Sequence, residues 1–185
     1  MSENNKPIEW NNYFLEIART VSKRYNWLRA QVGAVIVGKD KKIKATGYNG
    51  VPSKVVSCME LGECYRIKNN IPSGTCYETC RSIHAEQNAI IQAGQDRCQG
   101  ATMYIWGHNF ICILCKRFIV QSGIEQIYLQ KDENSPIEYV TVDEIRKELS
   151  NDALVKAWLI NINRLCINES YCVFCRLFKM FWYTF

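Results

Sequence analysis

The sequence predicts a three-layer α/β/α domain around a central mixed sheet, and three observations carry that expectation. Hydrophobic spacing alternates between helical and extended periods in the order α-β-β-α-β-α-β. The first strand segment, Val32 to Val37, is apolar almost without interruption, as a strand inside a covered sheet should be. The later strands are separated by single helices, which implies mostly parallel pairing and helices on both faces, following an antiparallel opening hairpin. A length of 185 residues with 48% hydrophobic content is enough for one such domain, expected over 8–150, followed by an atypical apolar tail over 151–185.

Trp10, Phe14, Ile17, Ala18 and Val21 recur at helical spacing and predict an amphipathic first helix of about four turns that covers one face of the sheet. The strand ending at Val37 is followed by the turn Gly38-Lys39-Asp40-Lys41, and Ile43 to Tyr48 resumes extended structure, so the pair reads as a hairpin. Gly47 to Pro52 ends the second strand with turn chemistry. The connection then runs to about residue 81 with little periodicity and contains Cys58, Cys64, Cys76 and Cys80. A connection of that length inside a compact domain is usually functional or internally tied, and four cysteines are a candidate tie. Ser82 reads as the N-cap of a helix that packs through Ile83, Ala89, Ile90 and Ala93 and stops at Gly94. Thr102 to Trp106 reads as a buried strand, Cys112 to Ser122 as a helix closed by Gly123, and Ile124 to Leu129 as the next strand. Beyond Gln130 the pattern weakens, although Val142 to Leu149 forms a last short helix with Thr141 as its cap.

Charge narrows the partners. The net charge is +5, but charged residues make up only 22% of the chain and form no Lys/Arg run, which suits a small anionic ligand and argues against a nucleic-acid arm. Ten cysteines would suggest a disulfide framework in a secreted chain, yet the start Met1-Ser2-Glu3-Asn4-Asn5-Lys6 has no basic-then-apolar signal pattern. The expectation is therefore reduced thiols in the cytoplasm, with CxxC spacings read as metal binding. No apolar run reaches the roughly 18 residues that a membrane span requires.

Two short motifs carry the chemistry. His84-Ala85-Glu86 and Cys112-Ile113-Leu114-Cys115 both fall at expected helix starts, and Cys112 and Cys115, three residues apart, share one helix face. Three ligands of this kind make a zinc site with one corner open for water, the pattern of catalytic rather than structural zinc. Helix N-termini favour thiolates, and a catalytic zinc lowers the pKa of its water towards about 7. Glu86 is then the spare carboxylate that moves protons. An H-x-E segment paired with C-x-x-C is the known signature of zinc deaminases of amino-substituted bases.

With those residues in place, the chain resembles the deoxycytidylate (dCMP) deaminase family of the cytidine deaminase-like superfamily. The resemblance runs over about residues 10–130, through Gln31-Val32-Gly33-Ala34, Gly47-Tyr48-Asn49-Gly50-Val51-Pro52, Ile71-Pro72-Ser73-Gly74, Cys80 to Ile90, and Cys112 to Cys115. It implies zinc on His84, Cys112 and Cys115, proton transfer by Glu86, contact of Asn49 with the sugar or base, and contact of the Ala85 backbone with the pyrimidine. It also implies conversion of dCMP to dUMP and ammonia, a homo-oligomer, regulation by dCTP and dTTP, and in some members a second zinc. Many relatives have Pro before the first cysteine of the second motif, where this chain has Ile111. Proline there only pre-sets the backbone, so no ligand is lost.

Plainer readings stand beside these. Cys172-Val173-Phe174-Cys175 repeats the CxxC spacing with no H-x-E partner and reads as packing within a tail that ends in the apolar stretch Phe178 to Phe185, an aggregation risk if uncovered. Cys58, Cys64, Cys76 and Cys80 form either a structural second zinc site or a reduced loop with partly buried thiols. Asn49 between glycines is also a good turn residue. His108 either lines the pocket or is an exposed loop histidine. The phosphate-binding residues are unassigned among several Lys and Arg. The competing functions are a deaminase of another cytosine or adenine compound, and an inactive zinc-stabilised binding module. Glu86 favours catalysis, because it has neither a ligand role nor an obvious structural one.

Overall fold

A computed structural model of the chain describes residues 6–26 and 28–151. The expected tail therefore lies outside the described residues, apart from Asn151, and with it Cys172 and Cys175. The chain divides into two units, residues 1–145 and 146–185, of which the second is described only over 146–151.

The sheet of the first unit grows from β1 (Gly33–Val37), every residue of which is buried. Its antiparallel neighbours are β2 (Ile43–Tyr48) on one side and β3 (Thr102–Trp106) on the other. β4 (Gln126–Gln130) pairs in parallel with β3, and β5 (Glu138–Thr141) closes the edge antiparallel to β4, giving the order β2-β1-β3-β4-β5. The expectation of mostly parallel pairing is thus corrected: one of these four pairings is parallel. The helix after β2 does return the chain to a strand of the same direction, β3, but β1 lies between them and is antiparallel to both.

Alternation along the strands sorts side chains to two helical layers. Val35 and Val37 of β1 and Tyr104 of β3 pack with Phe14, Leu15 and Ala18 of α1 (Trp10–Ser22). Gly33 continues that face, where a Cβ would overlap the Ala18 carbonyl oxygen. On the opposite face Gly47 of β2 lies under α4 (Ala85–Ala93), and a Cβ there would overlap the Ala85 carbonyl oxygen and the Ala89 nitrogen. Each glycine lets a helix approach the sheet closely.

The connection from β2 to α4 is more structured than its composition suggests. It contains α2 (Cys58–Leu61), α3 (Tyr65–Lys68) and a 3₁₀ turn over Tyr77–Thr79. Ser57 and Glu60 cap α2 reciprocally, the Ser57 N–H donating to Glu60 Oε2 at 2.7 Å. The tie across the loop is the buried Arg66, whose guanidinium donates to the carbonyls of Cys76 and Pro72. After α4 come α5 (Gln95–Cys98), β3, α6 (Ile113–Ser122), β4, β5 and α7 (Val142–Leu149). Thr141 caps α7 as expected, its Oγ1 accepting the Glu144 N–H at 3.3 Å. The strand β5 was not expected; it is four residues long at a sheet edge, too short and too exposed to alternate clearly. No helix among the described residues is long and apolar enough to cross a membrane.

Candidate active site

The starts of α4 and α6 meet at one point. His84, rather than Ser82, is the N-cap of α4; its backbone is extended and its N–H donates to Gln87 Oε1 at 3.1 Å. This places the imidazole at the helix mouth. Cys112 is the N-cap of α6, and its sulfur accepts the Cys115 N–H at 3.4 Å. The CxxC spacing is therefore a capping turn whose two ends are both thiols, which turns both sulfurs to the same side. Ile111, where relatives often have Pro, is buried just ahead of this turn.

His84 Nδ1 lies 3.3 Å from Cys112 Sγ and 3.4 Å from Cys115 Sγ. All three ligand atoms fall within 4.8 Å of one another, the one such group of His, Cys, Asp or Glu among the described residues. Tetrahedral zinc, with bonds of about 2.3 Å to sulfur and about 2.0 Å to nitrogen, has N···S edges of about 3.5 Å. The donor set and its spacing both fit that ion, with one coordination position not supplied by protein.

The electrostatics agree with the geometry. Cys112 is pulled down to about 4, chiefly by the Cys115 thiol donating to it and then by His84, against the effect of burial. The same hydrogen bond, with burial, pushes Cys115 well above the ordinary thiol range. The two sulfurs thus share one proton, which a metal ion would displace. For His84, burial opposes protonation, but the Cys112 hydrogen bond and the Glu86 charge outweigh it and raise its pKa. Glu86, the second residue of α4, is 5% exposed and reaches Cys115 and its own backbone N–H with its carboxyl. Burial pushes it above the usual carboxylate range, with His84 pulling the other way.

His84, Glu86 and Cys112 line a cleft open to solvent, whose walls include Arg29, Val32, Asn49, Ser73, Tyr77, Ala85, His108 and Phe110. His108 therefore lines the pocket. Burial holds its pKa below the ordinary histidine value, as does the nearby charge of His84. Asn49 also borders the cleft, but its side chain is already engaged: Oδ1 accepts the Val32 N–H at 2.7 Å and Nδ2 donates to the Ala30 carbonyl at 2.6 Å. It holds the 30–32 segment in place, a role beyond the turn residue or substrate contact expected of it.

Among the described residues, no three of the loop cysteines form a ligand group like that of His84, Cys112 and Cys115. Cys58 and Cys64 are buried and hydrogen-bonded to each other, Cys80 is half-buried, and Cys76 is exposed. Two wall residues were not legible in sequence. The rings of Tyr77 and His84 meet edge to face with centroids 5.1 Å apart, and the Arg66 guanidinium lies over the Tyr77 ring, 5.5 Å from its centroid. Both sit in the stretch without periodicity, where no local pattern distinguishes them.

Comparison with known proteins agrees with the site. The sequence profile of the cytidine and deoxycytidylate deaminase zinc-binding region matches residues 8–131. Deoxycytidylate deaminase of Mycobacterium phage D29 is 34% identical over 128 residues, covering 67% of this chain and 96% of the phage protein. The Schizosaccharomyces pombe deoxycytidylate deaminase is also 34% identical, over 68% of this chain but only 38% of the yeast protein. The human one is 32% identical over 68% of this chain and 67% of its own length. Among solved structures, the apo dCMP deaminase of cyanophage S-TIM5 superposes with a TM-score of 0.51 at 22% identity, over 77% of this chain and 94% of that one. Cytidine deaminase from Burkholderia pseudomallei gives 0.50 at 14% identity, over 72% and 94%. With a profile match over 124 residues that takes in both halves of the His84, Cys112 and Cys115 site, the chain belongs to the deoxycytidylate deaminase family of the cytidine deaminase-like superfamily.

Proposed function

We propose that this chain catalyses the zinc-dependent hydrolytic deamination of dCMP to dUMP and ammonia. The observation that carries the reading is a buried carboxyl, Glu86, against a three-ligand zinc site at the wall of an open cleft. The substrate follows from relatives named deoxycytidylate deaminase and from the net positive charge, which suits an anionic nucleotide.

Zinc held by His84, Cys112 and Cys115 supplies a Lewis acid that makes water nucleophilic at neutral pH. As the water oxygen bonds to the amino-bearing ring carbon, Glu86 would take up one water proton and deliver it to the cytosine ring nitrogen, and it would then carry the remaining hydroxyl proton to the departing amine. The exocyclic C–N bond breaks, ammonia leaves, and a carbonyl takes its place. Burial suits Glu86 to both steps, because a carboxyl held above the usual carboxylate range accepts a proton more readily and can return it. The Ala85 backbone at the start of α4 meets the pyrimidine edge. Asn49 acts first by fixing the 30–32 wall of the cleft and through it the substrate.

The catalytic domain is residues 8–150, and one zinc per chain is the resting content. The family resemblance extends the proposal to a homo-oligomer that responds to dCTP and dTTP. Ammonia release by the zinc-loaded protein, measured across cytidine, deoxycytidine, CMP, dCMP and dCTP, tests the substrate. The highest kcat/KM is expected for dCMP, and a clear preference for a nucleoside would overturn the assignment.

A further inference from the structure

We propose that Arg29 recognises the phosphate of the substrate, an inference that rests on the nucleotide reading above. Arg29 lies in the segment between α1 and β1, on the wall of the cleft that holds His84, Glu86 and Asn49. Its Nη1 is buried and has no hydrogen-bond partner among the described residues, the one such side-chain nitrogen or oxygen there. Buried donors are nearly always paired, and leaving one bare is costly. Arg29 thus lines the cleft while one of its guanidinium nitrogens is buried without a partner, so a small turn of the side chain towards an acceptor brought by the ligand would relieve that cost.

The surroundings single out Arg29. Asn49 grips the chain on its C-terminal side, at the Ala30 carbonyl and the Val32 N–H, so the arginine is presented from a fixed backbone and loses little freedom on binding. The other arginine lining the cleft, Arg66, spends its guanidinium on the Cys76 and Pro72 carbonyls and on the Tyr77 ring. Glu86 is the one carboxyl among the lining residues, and it sits at the zinc ligands. The cleft is therefore polarised: an anionic end is repelled from the Glu86 side and drawn to Arg29. A planar guanidinium matches phosphate oxygens two at a time, which a lysine ammonium does not. The ligand chemistry is a phosphate monoester, here the 5′-phosphate of a pyrimidine nucleotide.

The test compares zinc-loaded wild type, R29Q and R29K on dCMP and deoxycytidine, with calorimetric binding of inorganic phosphate as a readout independent of turnover. The ratio of kcat/KM for dCMP to that for deoxycytidine should fall by about tenfold to a hundredfold in R29Q, mainly through KM, and recover in part in R29K. Phosphate binding should weaken in parallel. An unchanged ratio in R29Q, or equal phosphate binding by R29Q and wild type, overturns the proposal. Should R29Q lose its zinc, R29K decides: a severalfold drop in the ratio supports the guanidinium fork, and a wild-type ratio contradicts it. Wild type that turns over deoxycytidine in preference to dCMP contradicts the nucleotide reading itself, whereas a dCMP-selective wild type with an equally selective R29Q contradicts the role of Arg29 alone.

Discussion

Replacing Asn49 with Ala removes two hydrogen bonds and strands two backbone groups, the Val32 N–H and the Ala30 carbonyl. The expected loss is about 2–4 kcal/mol of folding stability, read from urea denaturation of the zinc-loaded protein. Glu86→Gln should behave differently. It keeps the shape and removes the proton carrier, so turnover should drop by about 10²–10⁴-fold while zinc content by metal analysis is unchanged. Retained activity in that variant would remove Glu86 from the mechanism. His84, Glu86, Cys112 and Cys115 were legible in sequence because each motif is a local cap: the ligand spacing and the helix start are the same few residues. The task of Asn49 was not, since its partners are 17 and 19 residues away and meet it only through the β1–β2 pairing. Arg29 and Tyr77 were invisible for the same reason; nothing in their neighbours announces a cleft that the fold assembles.

At the scale of elements, the site depends on how closely α4 approaches the sheet. Gly47→Ala would drive a methyl group into the Ala85 carbonyl and the Ala89 nitrogen, lifting the helix that carries His84. Overpacking of this kind costs about 1–3 kcal/mol, and part of it should appear as zinc binding weakened by tenfold or more in a chelator competition. Gly33→Ala makes the same kind of clash with α1, which carries no ligand. It should destabilise the fold and leave zinc affinity little changed; equal weakening in both variants would contradict the link between α4 seating and the metal site. Helices and strands with strong periodicity, such as α1, β1 and β3, were readable in sequence. The short α2 and α3 were not, because a single turn shows no period, and β5 was hidden by its exposed edge position. Pairing direction was misjudged because sequence order does not reveal that β1 lies between β2 and β3.

Over the whole first unit, the sheet holds two helix N-termini face to face, and His84 from one with Cys112 and Cys115 from the other forms a cross-link that only a metal completes. Stripping zinc should therefore lower the melting temperature, by about 10 °C if the ion contributes about 4 kcal/mol, as scanning calorimetry would read. An unchanged transition would mean that the three residues do not hold a metal in the folded chain. The expected stoichiometry is one zinc, since His84, Cys112 and Cys115 are the one ligand group of three among the described residues. The most direct measurement is a zinc titration of the chelator-stripped protein with dCMP deamination followed at each addition. Activity should be absent at the start, rise linearly, and saturate at one equivalent per chain; deamination by the metal-free protein, or none at any zinc content, would contradict the account.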